Sequence, residues 1–244
     1  MANPGKLEDL THAELLQFVN DVVRRTVLHY GIWFNETVHQ LGLEEALKAE
    51  ENVARIIFPI MTKRICTALG IELKGGVPAP LFDMPREKLV GLVDAMSANW
   101  LASDGVWFQA VENRRDMNTA KRTNDTCWSR FSPVEAHMIA GLLILPENAG
   151  LDGLKQALAF RLYSRINVQT VESTDEGVVL KMVTCRVQEA RKRKGLEDYP
   201  CKSAGLVEYE AFARTIDPRI KTRCIACPPD QHPAGWSCGW LFHI

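Results

Sequence analysis

Several features that would assign a common function are missing from this sequence. No apolar run reaches the roughly 18 residues that a membrane-spanning helix requires, and residues 1–6 contain no apolar segment like that of a signal peptide. A formal net charge of −1 gives no basic excess for nucleic acid. The one basic run, residues 191–194, fits the last turn of a helix that stops at Gly195. We therefore expect a cytoplasmic protein with no nucleic-acid or membrane partner.

The motifs of nucleotide-binding proteins and serine hydrolases are also missing. The sequence has no Walker-type phosphate loop, no G-x-G-x-x-G after a strand and no G-x-S-x-G. What it has is an ordinary globular composition, with 46% hydrophobic and 24% charged residues in a chain of 244. This length lies between the usual sizes of one and two domains, so we expect two modules that pack together.

The first half of the chain contains an internal duplication. Residues 14–70 align with residues 88–144 without a gap, and the centre of the match is a repeated Gly-x-Trp-Phe, at 31–34 and 105–108. The other identities are Leu15 with Leu89, Val19 with Val93, Ala46 with Ala120, Pro59 with Pro133 and Leu69 with Leu143. Apolar residues recur every three or four positions, which predicts helices, and Thr11 with Glu14 forms a capping box before the first of them. The sequence therefore predicts two similar helical hairpins.

The pattern changes after residue 149. Alternating apolar residues predict strands over about 165–171, 178–183, 220–225 and 238–243, and helical periodicity predicts helices over about 187–194 and 203–214. This order is typical of an antiparallel sheet with helices. We predict an α+β protein in which a duplicated helical region, residues 1–149, packs on a C-terminal module, residues 150–244.

Four cysteines of the C-terminal module have a spacing that suits a metal ion. Cys224 and Cys227 form a C-x-x-C pair, which lets both sulfurs face one centre, and Cys238 and Cys201 complete a set of four thiolates. Seven cysteines in a reducing compartment favour metal ligation over structural disulfides. We therefore predict a structural zinc site with these four ligands.

Other interpretations of these cysteines stay open. The C-x-x-C pair could be a redox couple, although two prolines directly after it prevent the helix that usually follows such a pair. The thiols could also be buried without a metal. His232, Asp230 or Cys185 could replace one of the four ligands.

The order of these cysteines resembles the zinc constellation of the 4-vinyl reductase domain, a small-molecule-binding module related in fold to vesicle-transport subunits. The resemblance covers residues 150–244 and rests on Cys201 before a helix, the C-x-x-C pair, and Cys238-Gly239-Trp240 on the last strand. It departs from the family pattern at Cys224, where a glutamate is usual. The resemblance implies a zinc ion and a pocket for a small molecule.

The whole chain resembles an uncharacterised cytosolic family similar to the L-2-amino-thiazoline-4-carboxylate hydrolases. This resemblance rests on the Gly-x-Trp-Phe units with Cys185-Arg186-Val187-Gln188 and Cys227-Pro228-Pro229-Asp230. Two functions follow as expectations: a zinc-containing protein that binds an apolar or heteroaromatic molecule, or a hydrolase of a small cyclic amide or thiazoline. A homodimer is left open.

Side chains outside the metal set complete the candidate site. Cys185 lies between a strand and a helix, where helix N–H groups and Arg186 should lower its thiol pKa, so it is the candidate catalytic residue; the alternative is a half-buried packing residue. Five residues at the centres of the repeats are candidates for a ligand pocket, although aromatic residues on helices usually belong to the core: His29, Trp33, Asp104, Trp107 and Phe108. Cys66 and Cys127 are expected to pack between helices.

Overall fold

The computed structural model describes residues 5–193, 195 and 198–244. The chain divides into two compact units, Met1–Asp83 and Met84–Ile244. The boundary predicted at 149/150 therefore falls inside the second unit, which contains both the second helical hairpin and the sheet. Among the described helices, none is both long enough and apolar enough to cross a membrane.

The first unit is a helical hairpin with a small appendage. Helix α1 spans His12–Leu41, α2 spans Leu43–Leu69, and a one-turn 3-10 helix precedes them at Leu7–Asp9. The predicted capping box is confirmed, because the Thr11 hydroxyl accepts a hydrogen bond from the Glu14 N–H while the Glu14 carboxylate accepts one from the Thr11 N–H. The segment after α2 contains a two-stranded hairpin, β1 (Leu73–Lys74) and β2 (Val77–Pro78), and a short helix α3 (Ala79–Phe82).

The second unit opens with the second copy of the hairpin. Its helices are α4 (Arg86–Arg114) and α5 (Met117–Leu143). The Gly-x-Trp-Phe sequences lie within α1 and α4, and the repeated proline lies inside the second helix of each hairpin, at Pro59 and Pro133. The equivalent placement predicted for the two repeats is confirmed at the level of helices.

A four-stranded antiparallel sheet follows, preceded by α6 (Gly150–Phe160) and α7 (Leu162–Ile166). The remaining elements are β3 (Val168–Thr174), β4 (Gly177–Thr184), α8 (Arg186–Lys192), α9 (Lys202–Ile216), β5 (Lys221–Ala226) and β6 (Cys238–His243). The strand order is β3-β4-β6-β5. The strand predicted from residue 165 starts later because residues up to 166 continue α7. The helix predicted over about 187–194 corresponds to α8, and its predicted last residue, Lys194, lies outside the described residues.

Helix α9 connects the second hairpin to the sheet. It packs against α5 on one side and β5 on the other. Its buried face recurs at helical spacing through Gly205, Tyr209, Phe212 and Ile216, as an amphipathic core helix requires. Together with buried residues of α5, α6 and the sheet, Tyr209, Phe212 and Ile216 form one core. The α+β architecture, with helices before a C-terminal antiparallel sheet, is therefore as predicted.

Candidate functional site

Three cysteines that are distant in sequence meet at the edge where α9 begins. Cys201 is the residue just before α9, Cys227 follows the end of β5, and Cys238 is the first residue of β6. Antiparallel pairing of β5 with β6 places Ala226 opposite Gly239, which brings Cys227 beside Cys238. A backbone hydrogen bond of 2.9 Å from the Lys202 N–H to the Pro228 carbonyl ties the start of α9 to the same loop.

Within this cluster, the Cys227 thiol contacts those of Cys201 and Cys238. The Sγ atoms of Cys201 and Cys227 are 3.5 Å apart. Sulfurs bound to one zinc ion at 2.3 Å in a tetrahedron lie about 3.8 Å apart, so this pair has a separation that a zinc ion accepts. Hydrogen bonds with Cys201 and Cys238 raise the pKa of the Cys227 thiol, whereas the hydrogen bond with Cys227 lowers the pKa of Cys201. The chemistry of this donor set fits zinc.

The proposed ligands are not assembled around one metal position in the described residues, either as four or as three. Across residues 5–193, 195 and 198–244, no three His, Cys, Asp or Glu side chains are arranged around a common metal position. Cys224 lies on β5 opposite Trp240, is half-buried, and has its pKa raised by burial and by the charges of Cys238 and Cys201. Cys224 is thus close enough for the charges of Cys201 and Cys238 to act on it. Its thiol does not join them in a group that could hold a metal ion.

Neighbouring side chains hold the cluster in place. Gln188, only 1% exposed, donates from Nε2 to the Tyr199 carbonyl at 3.0 Å and to the Cys201 sulfur at 3.7 Å, and its Oε1 accepts the Tyr199 N–H at 2.8 Å. Amide donors of this kind commonly orient sulfur ligands from outside a metal's coordination sphere. The two alternative ligands have other partners: His232 Nε2 is 3.1 Å from Asp198, and Asp230 binds Lys202 at 2.7 Å.

A cavity of about 840 Å³ lies beside the thiols, entirely within the second unit. Cys201, Cys227, Cys238 and Cys185 all line it. Aromatic rings form much of the rest of the wall: Phe108, Trp128, Tyr163, Tyr199, Tyr209 and Trp240. A volume of this size and a mostly apolar lining with a few polar groups are usual for small-molecule sites.

The structure brings only part of the predicted pocket to this cavity. Asp104 and Phe108, one turn apart on α4, line it as expected. Trp107 is 65% exposed and does not line it. Trp33 is also 65% exposed, and it lies in the first unit with His29, whose ring is 6.4 Å from its own. Both repeated tryptophans are thus exposed on the surface of their helices. The expected part of Trp33, Trp107 and His29 in a ligand pocket has no support from this cavity.

Cys185 occupies the predicted position, but its thiol pKa is shifted upward and not downward as expected. It precedes the first residue of α8, and hydrogen bonds with the backbone of Val187 and Gln188 lower its pKa, as a helix start should. Burial acts in the other direction and is the larger effect, raising the pKa of the thiol to about 11. The sequence-based expectation of an activated thiol is therefore wrong, because desolvation of the thiolate outweighs the helix N–H groups. Of the two packing cysteines, Cys66 is buried as expected and Cys127 is exposed.

Sequence reasoning missed a buried ionic network below the cavity. Arg161, 2% exposed, binds Glu135 at 2.9 Å and lies 2.7 Å from Glu208, and both acids are 6% exposed. Burial raises the pKa of Glu208 to about 7 against the opposing effect of Arg161. A signal was present: Glu208 lies three residues after Gly205 and four before Phe212, on the apolar stripe of α9, where a lone acid is unusual.

Two buried donors in the cavity wall lack partners. The Trp240 indole N–H and the Tyr199 hydroxyl make no hydrogen bond within the described part of the chain. Buried polar atoms without partners are uncommon in native proteins and often mark the place of a missing water, ion or ligand. Gly205 lets Trp240 approach, since a Cβ at this position would lie 2.5 Å from the indole ring.

One comparison with known proteins gave a match. A family profile described as a family of unknown function (DUF6125) matches residues 8–81 and 82–244. The two matched segments meet near the division between the compact units, and each contains one Gly-x-Trp-Phe. No curated protein and no solved structure matched the chain.

Proposed function

This chain belongs to the DUF6125 family, and we propose that it is a zinc-containing protein that binds a small molecule in the cavity of its second unit. The observation that supports the proposal best is the contact between the thiol cluster and the cavity. Three cysteines from three different elements converge, with two sulfurs 3.5 Å apart, and all three line a cavity of about 840 Å³.

Zinc would be held by Cys201, Cys227 and Cys238, with Cys224 as the fourth ligand. A closed four-thiolate zinc ion is structural, and its binding energy would stabilise the junction between α9, the loop after β5 and the start of β6. The same junction forms one end of the cavity, so the metal would stiffen the wall against which a ligand binds. The order of these cysteines also supports the proposal that residues 150–244 form a 4-vinyl reductase-like module of a cytoplasmic protein.

The cavity wall supports binding of a molecule with an apolar, ring-containing body. Six aromatic side chains line it, and pairs such as Phe108 with Tyr199, whose ring centroids are 5.4 Å apart, offer edges and faces to a flat guest. The unpartnered N–H of Trp240 and hydroxyl of Tyr199 offer hydrogen bonds to an acceptor on the guest. Apolar and heteroaromatic molecules are therefore the proposed ligand class.

A hydrolase of a small cyclic amide or thiazoline is the second candidate. The observation that favours it is that Cys201, Cys227 and Cys238 line the cavity while Cys224 does not. A metal bound by these three thiols would present its fourth position toward a ligand. Such an open zinc ion could lower the pKa of a bound water. Cys185 is a poor nucleophile for this reaction, because burial raises its pKa to about 11 and keeps the thiol protonated near neutral pH.

Metal content and sulfur count test the proposal. Protein purified without added metal should contain about one zinc per chain; Cys227→Ser should lose it, and Cys127→Ser should keep it, since Cys127 is exposed on α5 outside the cluster. X-ray absorption should give four sulfur neighbours, whereas three sulfurs and one lighter atom would favour the hydrolase. Wild-type protein that is folded, free of metal and indifferent to chelators would overturn the zinc proposal.

A further inference from the structure

The wall of the cavity contains more acidic than basic side chains. Three acids contribute to its wall: Asp104 and Glu112 from α4, and Glu208 from α9. The cations of the wall are both on α8, where Arg186 is exposed to solvent and Arg191 is engaged by another group. The wall therefore has three carboxylates, of which Glu208 is buried and the other two are partly buried, against two arginines.

Glu208 is the most deeply buried of the three acids. It shares Arg161 with Glu135, so one guanidinium faces two carboxylates that are each 6% exposed. Oε1 of Glu208 lies 2.7 Å from Nη2 of Arg161, but within the described residues neither atom makes a hydrogen bond of normal geometry. When both acids are ionised, the network has one negative charge more than its single guanidinium balances, and a cation in the cavity could neutralise it.

Asp104 is a second carboxylate of the wall and, unlike Glu208, it forms no ion pair with a described residue. In the part of the chain that the structure describes, it makes neither an ion pair nor a hydrogen bond. Burial raises the pKa of its carboxyl group, because the charged form loses contact with solvent. The charges of Asp104 and Glu208 each raise the pKa of Tyr163, so both carboxylates are near the same cavity-lining ring.

Aromatic faces accompany these carboxylates. Phe108 lies one turn after Asp104 on α4, Tyr209 is next to Glu208 on α9, and the rings of Trp128 and Tyr163 are stacked with centroids 5.4 Å apart. Aromatic faces attract cations, and aromatic cages with carboxylates are the usual recognition site of ammonium groups.

We infer that the ligand of this cavity is an organic cation, an amine or amidine attached to an apolar body, with its charge between Asp104 and Glu208. This inference rests on the proposed function and specifies its ligand class. A neutral aromatic molecule would leave Asp104 without a partner and Glu208 with only a share of Arg161, and an anionic one would be repelled by both carboxylates. Thiolates of a bound zinc ion would add further negative charge beside the same cavity.

Three probes of similar shape and different charge test the inference on the full-length protein as purified. They are 2-phenylethylamine, 2-phenylethanol and 3-phenylpropanoate, each titrated by isothermal calorimetry at pH 7.5. We expect the amine to bind at least about tenfold more tightly than the alcohol, and the carboxylate to bind most weakly.

Two variants and one control connect this preference to the carboxylates. Asp104→Asn and Glu208→Gln should each weaken amine binding by about tenfold and leave alcohol binding unchanged. Glu210→Gln removes the same charge from the exposed face of α9 and should change neither. Circular dichroism and zinc content of each variant show that the fold is retained, and Asp104→Asn serves if Glu208→Gln does not fold.

The outcomes separate the inference from the function on which it rests. Preferential binding of the amine that both variants weaken supports the inference. Equal or tighter binding of the alcohol or the carboxylate overturns it and leaves the small-molecule-binding function standing. Failure of all three probes to bind at millimolar concentration overturns both.

Discussion

Replacement of Arg161 by methionine should destabilise the second unit more than most single substitutions. The guanidinium is 2% exposed, binds Glu135 through Nε at 2.9 Å and pairs with Glu208 through Nη2 at 2.7 Å. Its carbon Cζ also lies 4.7 Å from the centroid of the Phe212 ring. Methionine fills much of the same volume and removes the charge, so two buried carboxylates lose their only cation in the network.

The expected cost follows from that geometry. Removal of one partner from a buried ion pair costs about 3–5 kcal/mol, because the remaining charge stays desolvated without compensation. This is a large part of the roughly 5–15 kcal/mol that stabilises a typical domain. For a unit of this size each kcal/mol lowers the melting temperature by about 2–4 °C, so the loss should be roughly 10 °C.

Thermal unfolding followed by circular dichroism at 222 nm measures the loss, with urea unfolding as a second estimate. Arg161→Lys keeps the charge but not the forked geometry and should lie between the wild type and Arg161→Met. The triple variant that adds Glu135→Gln and Glu208→Gln should regain most of the stability, since it leaves no unpaired buried charge. If Arg161→Met unfolds within about 1 kcal/mol of the wild type, or if the triple variant is no better, the network is not the buried, unbalanced cluster described above.

Further predictions concern acidity, packing and the thiols. Because burial raises the pKa of Glu208 from its ordinary value near 4.5 to about 7, wild-type stability should fall as the pH rises through that interval. Glu208→Gln should flatten this dependence and be more stable than the wild type at pH 8, by as much as about 3 kcal/mol in urea unfolding; an unchanged pH profile would contradict it. Gly205→Ala should cost about 1–3 kcal/mol, since the new methyl group would lie 2.5 Å from Trp240; a neutral result would show that the ring can move aside. Cys185→Ala should keep both fold and zinc, whereas Cys224→Ser should release zinc to chelators more readily than the wild type. If only Cys185→Ala loses zinc, then Cys185 and not Cys224 is the fourth ligand.

The helices and strands could be predicted largely from the sequence because their signals are local. The capping box at Thr11 and Glu14 depends only on residues three apart. The repeated proline and Gly-x-Trp-Phe identified two equivalent helical hairpins without knowledge of their surroundings. Boundaries were less accurate where two elements adjoin, as at Ile166, where the apolar alternation of β3 overlaps the end of α7.

The candidate site was predicted only in part, because burial is a property of the whole fold. Cys201, Cys227 and Cys238 could be grouped from their spacing, and the pairing of β5 with β6 does bring the last two together. No local pattern indicated that Trp33 and Trp107 would be exposed, since aromatic residues in helices usually belong to the core.

The amino-acid sequence by itself determined the α+β order of elements, the duplicated hairpin and the group of cysteines, because periodicity, caps and spacing operate over a few residues. The tertiary structure alone decided the acidity of Cys185 and the meeting of Arg161 with Glu135 and Glu208. In both cases the deciding quantity is the free energy of removing a charge from water, which depends on every element packed around that charge. The cavity itself arises in the same way, from space left between α4, α8, α9 and the sheet rather than from any one segment.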